Sequence, residues 1–263
     1  MLVAADWHII WSRIFHPNGP FAHALWATIY ISIVAQIVGI LLGLIAALAR
    51  MSRFLPFRFI SGVYVLIFRG TPVLVQIFFF YFALGLPNVV HLGVFNLTAE
   101  VAAGILALSI NEGAYMREII RAGIDSIDKG QMEAAKSLGM RSGLAMRRII
   151  LPQAARVIIP PLGNEFNNML KTTSLISVLS VVETYEHYVI IQGLNYRPFE
   201  AYAACALWFL LMTTIWGFVQ ARIEVRFARG TETGSAAPRG PGLRTRVFGA
   251  RAGIGEAGGL GGH

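Results

Sequence analysis

Residues 21–49 read FAHALWATIYISIVAQIVGILLGLIAALA, a run without a single Asp, Glu, Lys or Arg. As a helix it is about 44 Å long, enough to cross a hydrocarbon core of about 30 Å. Lipid offers no partner to a free N–H or C=O, so a lone apolar segment satisfies its backbone as a helix. Working outward, four more stretches read the same way: 59–84, interrupted only by Arg69, then 98–120, 157–181 and 200–221. The third and fourth carry more polar residues. The expectation is an all-α integral membrane protein with five transmembrane helices.

Composition points the same way. Of 263 residues, 56% are hydrophobic and 14% charged, and mean hydropathy is +0.61. Ordinary globular chains are about 25% charged, so a soluble chain of this make-up would struggle to cover its surface. The single cysteine, Cys205, excludes an intrachain disulfide and a four-thiolate zinc site.

Basic residues set the orientation. Eighteen of the 22 Lys and Arg fall in the 49–58 linker, the 117–156 linker and the stretch after the fifth span. The opposite side keeps only Arg13 and Arg197, and Arg69 and Lys171 fall inside spans. By the positive-inside rule the N-terminus is outside and the C-terminus is cytoplasmic. The same asymmetry accounts for the net charge of +8 without nucleic acid as a partner.

The ends differ from the middle. Residues 1–20 lack the basic start and apolar core of a secretory signal. Trp7, Ile10, Trp11 and Ile14 stand at helical spacing, so this extension is either a short interfacial helix or a frayed terminus. Residues 229–263 are rich in Gly and Arg, with little apolar surface to offset ordering entropy. They read as a disordered tail that is either solvated or in touch with membrane lipid. The domain expectation is therefore an extension over 1–20, a transmembrane domain over 21–228 and a tail over 229–263. No inverted repeat is visible, which weakens a self-sufficient secondary transporter.

The longest linker between spans, about 121–156, reads RAGIDSIDKGQMEAAKSLGMRSGLAMRRIILPQAAR. Asp128 and Gln131 have capping-box spacing, and Gly139 is a natural helix terminator. A short surface helix over 129–138 follows, with a second over about 141–150 that ends before Pro152. The first helix suits docking into a partner's groove or lying on the inner leaflet.

Here a family likeness enters. Glu133-Ala134-Ala135, then Gly139, then Ile149-Ile150-Leu151-Pro152 resembles the EAA motif of ABC importer permeases. Arg69-Gly70-Thr71-Pro72 with Gln76, Tyr115 with Glu118 to Ile124, Leu151-Pro152-Gln153-Ala154 and Lys171-Thr172-Thr173-Ser174-Leu175 resemble the polar amino-acid uptake subfamily. The likeness covers about residues 21–228. It implies a multi-pass subunit of the bacterial cytoplasmic (inner) membrane that imports amino acids, with an opine-type ligand as the alternative. It implies three partners: a cytoplasmic ABC ATPase dimer, a second permease subunit (identical or homologous) and an extracytoplasmic binding protein. Carried over by position, Glu133, Ala134, Ala135 and Gly139 are the ATPase contacts of a coupling helix. ATP and Mg would be bound by the ATPase, with no cofactor in this chain. Neither GxxxxGKS nor GxxxxGKT occurs here, so the chain has no P-loop and is not expected to be an enzyme.

Polar residues within the spans complete the reading. A central Arg costs about 2.5–3.5 kcal/mol on insertion scales, so Arg69 should face protein or water. It is either a gate or ligand contact, or a structural charge paired with Glu112 or Glu118; the structural pairing is the expectation. Asn111 and Glu112 line the transport path or pack between helices. Pro160-Pro161 opens the fourth span, where a proline in the first turn costs little. Asn164, Asn168 and Lys171, with Glu165 beside them, form one polar stripe, either substrate pathway or interhelical glue. Glu183, Glu186 and His187 read as an outer-surface turn and not as a metal site. A stand-alone channel or secondary carrier would leave the EAA block unexplained.

Overall fold

The computed structural model describes residues 6–16, 19–92 and 95–228. The expected tail over 229–263 and parts of the 1–20 extension lie outside these residues. The contacts below lie within one compact unit, Met1–Val225.

Helix α1 spans Trp7–Phe15 and α2 spans Gly19–Met51. In α1, Ile10 turns inward and Trp7, Trp11 and Phe15 stay exposed, giving it two unlike faces. In α2, Ile31, Ala35, Gly39, Gly43 and Ala47 are all buried and recur every four residues. This ridge of small side chains meets α5 (Ala99–Asp125), which buries Ala103, Ala107, Gly113 and Ala114. Small residues let two backbones approach, which is how helices associate where water supplies no driving force.

Helices α3 (Leu55–Gly70) and α4 (Val73–Leu84) correspond to the second expected span. They are not one straight helix but meet at a 109° bend. Pro72 lacks an N–H and Thr71 is extended, so the helical ladder breaks between them. A short antiparallel hairpin, β1 (Val89–Leu92) and β2 (Phe95–Thr98), follows. It is the one departure from an all-α architecture among the described residues.

Helix α6 (Lys129–Ser137) is the expected surface helix. The capping box does not form. Asp128 accepts from Gly130 N–H at 2.6 Å, and the Gln131 side chain instead takes a 3.4 Å bond from Gln153. The expected second helix over 141–150 does not stop before Pro152. Helix α7 (Ser142–Ala145), a π turn (Met146–Ile150) and α8 (Leu151–Thr172) run on as one helical path. A proline ring crowds the carbonyl four residues back, here Arg148, and a wider turn there relieves the crowding. Pro160 and Pro161 therefore lie inside α8 rather than at its start. Trp216 Nε1 donates to Gly163 O at 2.8 Å and Gln220 Nε2 to Pro160 O at 3.4 Å, both from α10 (Pro198–Ala228).

A 3₁₀ stretch (Thr173–Leu179) joins α8 to α9 (Thr184–Asn195). The turn before α9 is no surface turn. Glu183 is fully buried and caps α9, accepting from Tyr185 N–H and Glu186 N–H at 2.9 Å each and from Thr28 Oγ1 at 3.2 Å. His187 is buried as well. A carboxylate that caps a helix and bonds to α2 has its lone pairs occupied, which fixes α9 against α2.

Helices α2 and α10 are each long and apolar enough to cross a membrane. The bent pairs α3–α4 and Ser142–Leu179 with Thr184–Leu194 bring the number to four if each pair is one span. Helix α5 has the length but carries Glu112, Arg117, Glu118 and Arg121 along its course.

Candidate functional site

Two regions hold the residues singled out in the sequence. The first is the end of α6. Gly139 has φ +78°, its N–H bonds to Lys136 O at 2.9 Å, and Met140 N–H bonds to Ala135 O at 3.1 Å. These two bonds close the helix in the way a left-handed glycine permits. Glu133, Ala134 and Gly139 are exposed. Ala135 is not: it is 2% exposed and turned into the protein. Its place among the expected surface contacts is corrected on that ground. Leu138 is 83% exposed beside Gly139. A leucine that bare at the end of α6 is a candidate contact residue that sequence reasoning missed.

The second region is a cavity of about 420 Å³ between α5 and α8. Asn111, Glu112 and Tyr115 of α5 and Glu165, Asn168 and Lys171 of α8 line it. Five of the six expected pathway residues are thus brought together from two helices. Asn164 is not among them: its Oδ1 accepts from Gln220 Nε2 at 3.0 Å, on the side facing α10. The expected stripe splits because Gln220 of α10 reaches Asn164.

The cavity residues divide by what already occupies them. Asn111 Nδ2 donates to Phe68 O at 2.8 Å and to Gln76 Oε1 at 3.0 Å. Gln76 Nε2 in turn donates to Phe68 O at 3.0 Å, Thr71 O at 3.1 Å and Thr71 Oγ1 at 2.8 Å. This pair satisfies the carbonyls freed where α3 breaks, so Asn111 holds the bend as well as facing the cavity. Glu112 differs: its Oε1 is buried without a hydrogen-bond partner. A lone buried carboxylate oxygen costs energy unless something else meets it. Asn168 and Lys171 are exposed to the space they line.

Arg69 does not pair with Glu112 or Glu118. Its guanidinium lies over the Tyr115 ring, 4.9 Å from the centroid. Glu118 is taken by Arg117 and by Arg121, the latter at 3.2 Å, and Arg121 also meets Asp125 at 2.6 Å. A guanidinium on a ring face is held by the ring's quadrupole while keeping its donors free. The sequence could not show this, because a ring face carries no formal charge.

Residues 39–229 match the family described as binding-protein-dependent transport system inner membrane component. The chain is 37% identical over 235 residues to the arginine transport system permease protein ArgU of Corynebacterium glutamicum, covering 87% of this chain and 74% of that protein. It is 36% identical over 200 residues to the nopaline transport system permease protein NocQ of Agrobacterium fabrum, covering 74% and 85%. Among solved structures, an amino acid ABC transporter with histidines aligns with TM-score 0.70 and 38% identity, covering 79% of this chain and 94% of that one.

Proposed function

We propose, from the premise that this chain belongs to the family of binding-protein-dependent transport system inner membrane components, that it is the translocation subunit of an ATP-driven amino-acid importer. The relatives named for arginine and for the opine nopaline support a polar amino acid or an opine as ligand. In this reading the subunit sits in the bacterial inner membrane and crosses it five times. The crossings are α2, α3 with α4, α5, α8 with its continuation, and α10. The basic linkers place the N-terminus outside and the C-terminus in the cytoplasm. Family members work with a separate ATPase and a binding protein. A second permease, identical or similar, completes the pathway. ATP and Mg stay on the ATPase, and this chain needs no cofactor.

One observation carries the mechanism: an unbroken helical path joins the exposed EAA helix to the cavity. Helix α6 touches the path through Gln131 and Gln153, and the last turns of α8 bring Asn168 and Lys171 to the cavity. In our reading Glu133, Ala134, Leu138 and Gly139 meet the ATPase, and closure of the ATPase pair pushes on α6. A stiff helix transmits that push to the cavity wall. The transmembrane domain then rocks between outward- and inward-open states, a two-state element biased at one end.

The cavity is the proposed ligand path. Glu112 and Glu165 face a ligand ammonium, and Asn168 and Lys171 face its carboxylate. Losing one charged contact costs about 1.5–3 kcal/mol, so Lys171→Ala should lower uptake roughly 10- to 100-fold. Its exposure means the fold should survive. Radiolabelled uptake in proteoliposomes checks this, with assembly of the ATPase complex as control. Normal uptake by Lys171→Ala and Asn168→Ala would remove the cavity from the pathway. Truncation after Arg229 should leave uptake unchanged, and loss of uptake would overturn the reading of 229–263 as an inert tail.

A further inference from the structure

The corner that joins α2 to α3 belongs neither to the docking helix nor to the cavity. It carries Arg50, Arg53 and Arg58 within nine residues. All three are exposed. No Asp or Glu occurs anywhere between Asp6 and Glu100, so the segment has no acid of its own. Among the described residues no ion pair reaches these three arginines either, and Glu118 and Asp125 of α5 are occupied by Arg117 and Arg121.

The same corner is bare of cover for its apolar side chains. Phe54, Leu55, Phe57, Phe59 and Ile60 are each more than half exposed. At 100° per residue these positions point around the whole circumference of the first turns of α3. A groove on a folded protein covers one face of a helix, whereas lipid covers every side of it. The inner support is fixed. Ser61 is buried, donates to Ala46 O at 2.7 Å and accepts from Arg117 Nε at 3.1 Å, which ties α3 to α2 and α5. The corner is therefore preorganised, cationic and apolar at once.

We propose that this corner is a binding surface for anionic phospholipid, with Arg50, Arg53 and Arg58 on headgroup phosphates and the Phe and Leu side chains among the acyl chains. Guanidinium matches phosphate oxygens with two parallel bonds, and the match needs no proton transfer. Charge complementarity selects the occupant. Zwitterionic lipid would satisfy the apolar residues but leave net positive charge unbalanced.

The test uses the assembled transporter, with its ATPase and binding protein, in vesicles of phosphatidylcholine containing about 30 mol% phosphatidylglycerol. The complex is re-extracted and its retained lipid classes are measured by mass spectrometry. The native complex should retain phosphatidylglycerol in excess of its bulk fraction. A basic side chain at an anionic surface strengthens attachment roughly fivefold, so R53Q/R58Q should lower the preference roughly twentyfold. R53K/R58K should retain most of it. If the double Gln variant fails to assemble, R53Q and R58Q taken singly should each shift the preference roughly fivefold. Equal retention of both lipids by the native complex, or an unchanged preference in the Gln variants, overturns the proposal. An unchanged lipid preference accompanied by loss of the ATPase would assign the corner to a protein partner instead.

Discussion

Gly139→Asp is expected to abolish ligand-stimulated ATP hydrolysis and uptake while leaving membrane insertion and the fold nearly intact. The turn at Gly139 is surrounded by open space. A Cβ built at Gly139 meets nothing within 4 Å, so the substitution creates no clash inside this chain. Its backbone is left-handed, with φ +78°. That conformation costs an ordinary L-residue about 1–2 kcal/mol, and less for Asn or Asp, whose short side chains can bond locally. The added negative charge also sits at the carbonyl end of α6, where the helix dipole opposes it by about 0.3–1 kcal/mol. None of these terms is large enough to unfold the subunit. A large functional loss must then come from what docks on the turn. Gly139→Asn separates charge from conformation: it should retain much more coupling than Gly139→Asp. Coupling is read as the ratio of stimulated to basal ATPase rate, and a fall of at least about tenfold is expected, equivalent to about 1.4 kcal/mol at the interface. If Gly139→Asp transported normally, the assignment of α6 as the docking helix would be wrong.

The second large effect is structural. Gly43→Leu is expected to prevent assembly of the transmembrane domain. A Cβ at Gly43 would collide with the Met116 side chain and lie 2.9 Å from Arg117 N and 3.0 Å from Gly113 O. Backbone atoms cannot swing aside as a flexible side chain can, so the two helices must separate. Gly39 is less tight, since its Cβ would stand 2.7 Å from Glu112 Cγ but 3.3 Å from the nearest backbone atom, Ser109 O. Overpacking a core costs about 1–3 kcal/mol for a small addition. Gly43→Ala should therefore lower the melting temperature by roughly 2–12 °C. Leucine adds three more carbons and should leave no monodisperse peak in size-exclusion chromatography. A Gly43→Leu subunit that purified and melted like the native one would refute the close α2–α5 contact.

These two positions also show what the sequence could and could not reveal. Gly139 was legible because its spacing from Glu133, Ala134 and Ala135 and from Leu151-Pro152 is a pattern in one dimension. Gly43 was not, because an apolar run of 21–49 gives no sign of which face meets another helix. The bend at Thr71 was hidden for the same reason. Both arms are apolar, and only Gly70 and Pro72 hinted at weakness between them. Gln76 was visible as a glutamine in an aromatic run, but its role as a clamp needed the carbonyl of Phe68 in space. Pro160 and Pro161 misled because helix starts favour proline, whereas α8 begins at Leu151 and continues through them. The inward turn of Ala135 could not be read from a nine-residue helix whose packing partner lies elsewhere in the chain. The hairpin strands at 89–92 and 95–98 are too short to stand out in the sequence between two long apolar segments.

The candidate cavity was more legible than its parts. Asn111, Glu112, Glu165, Asn168 and Lys171 stood out as polar groups in apolar stretches, where such groups are costly without a purpose. Their convergence depends on the contact between α5 and α8. Asn164 fell away because Gln220 on α10 claimed it. Arg69 changed partner from a carboxylate to the face of Tyr115.

In the proposed function this chain couples a cytoplasmic ATPase to import of an amino acid. The most direct test is ligand-stimulated ATPase activity in proteoliposomes that contain this subunit, its ATPase and its binding protein, screened against the common amino acids and opines. The account predicts stimulation by one chemical group of ligands, with uptake of the same group. An intact complex whose ATPase rate responded to none of these ligands would contradict it.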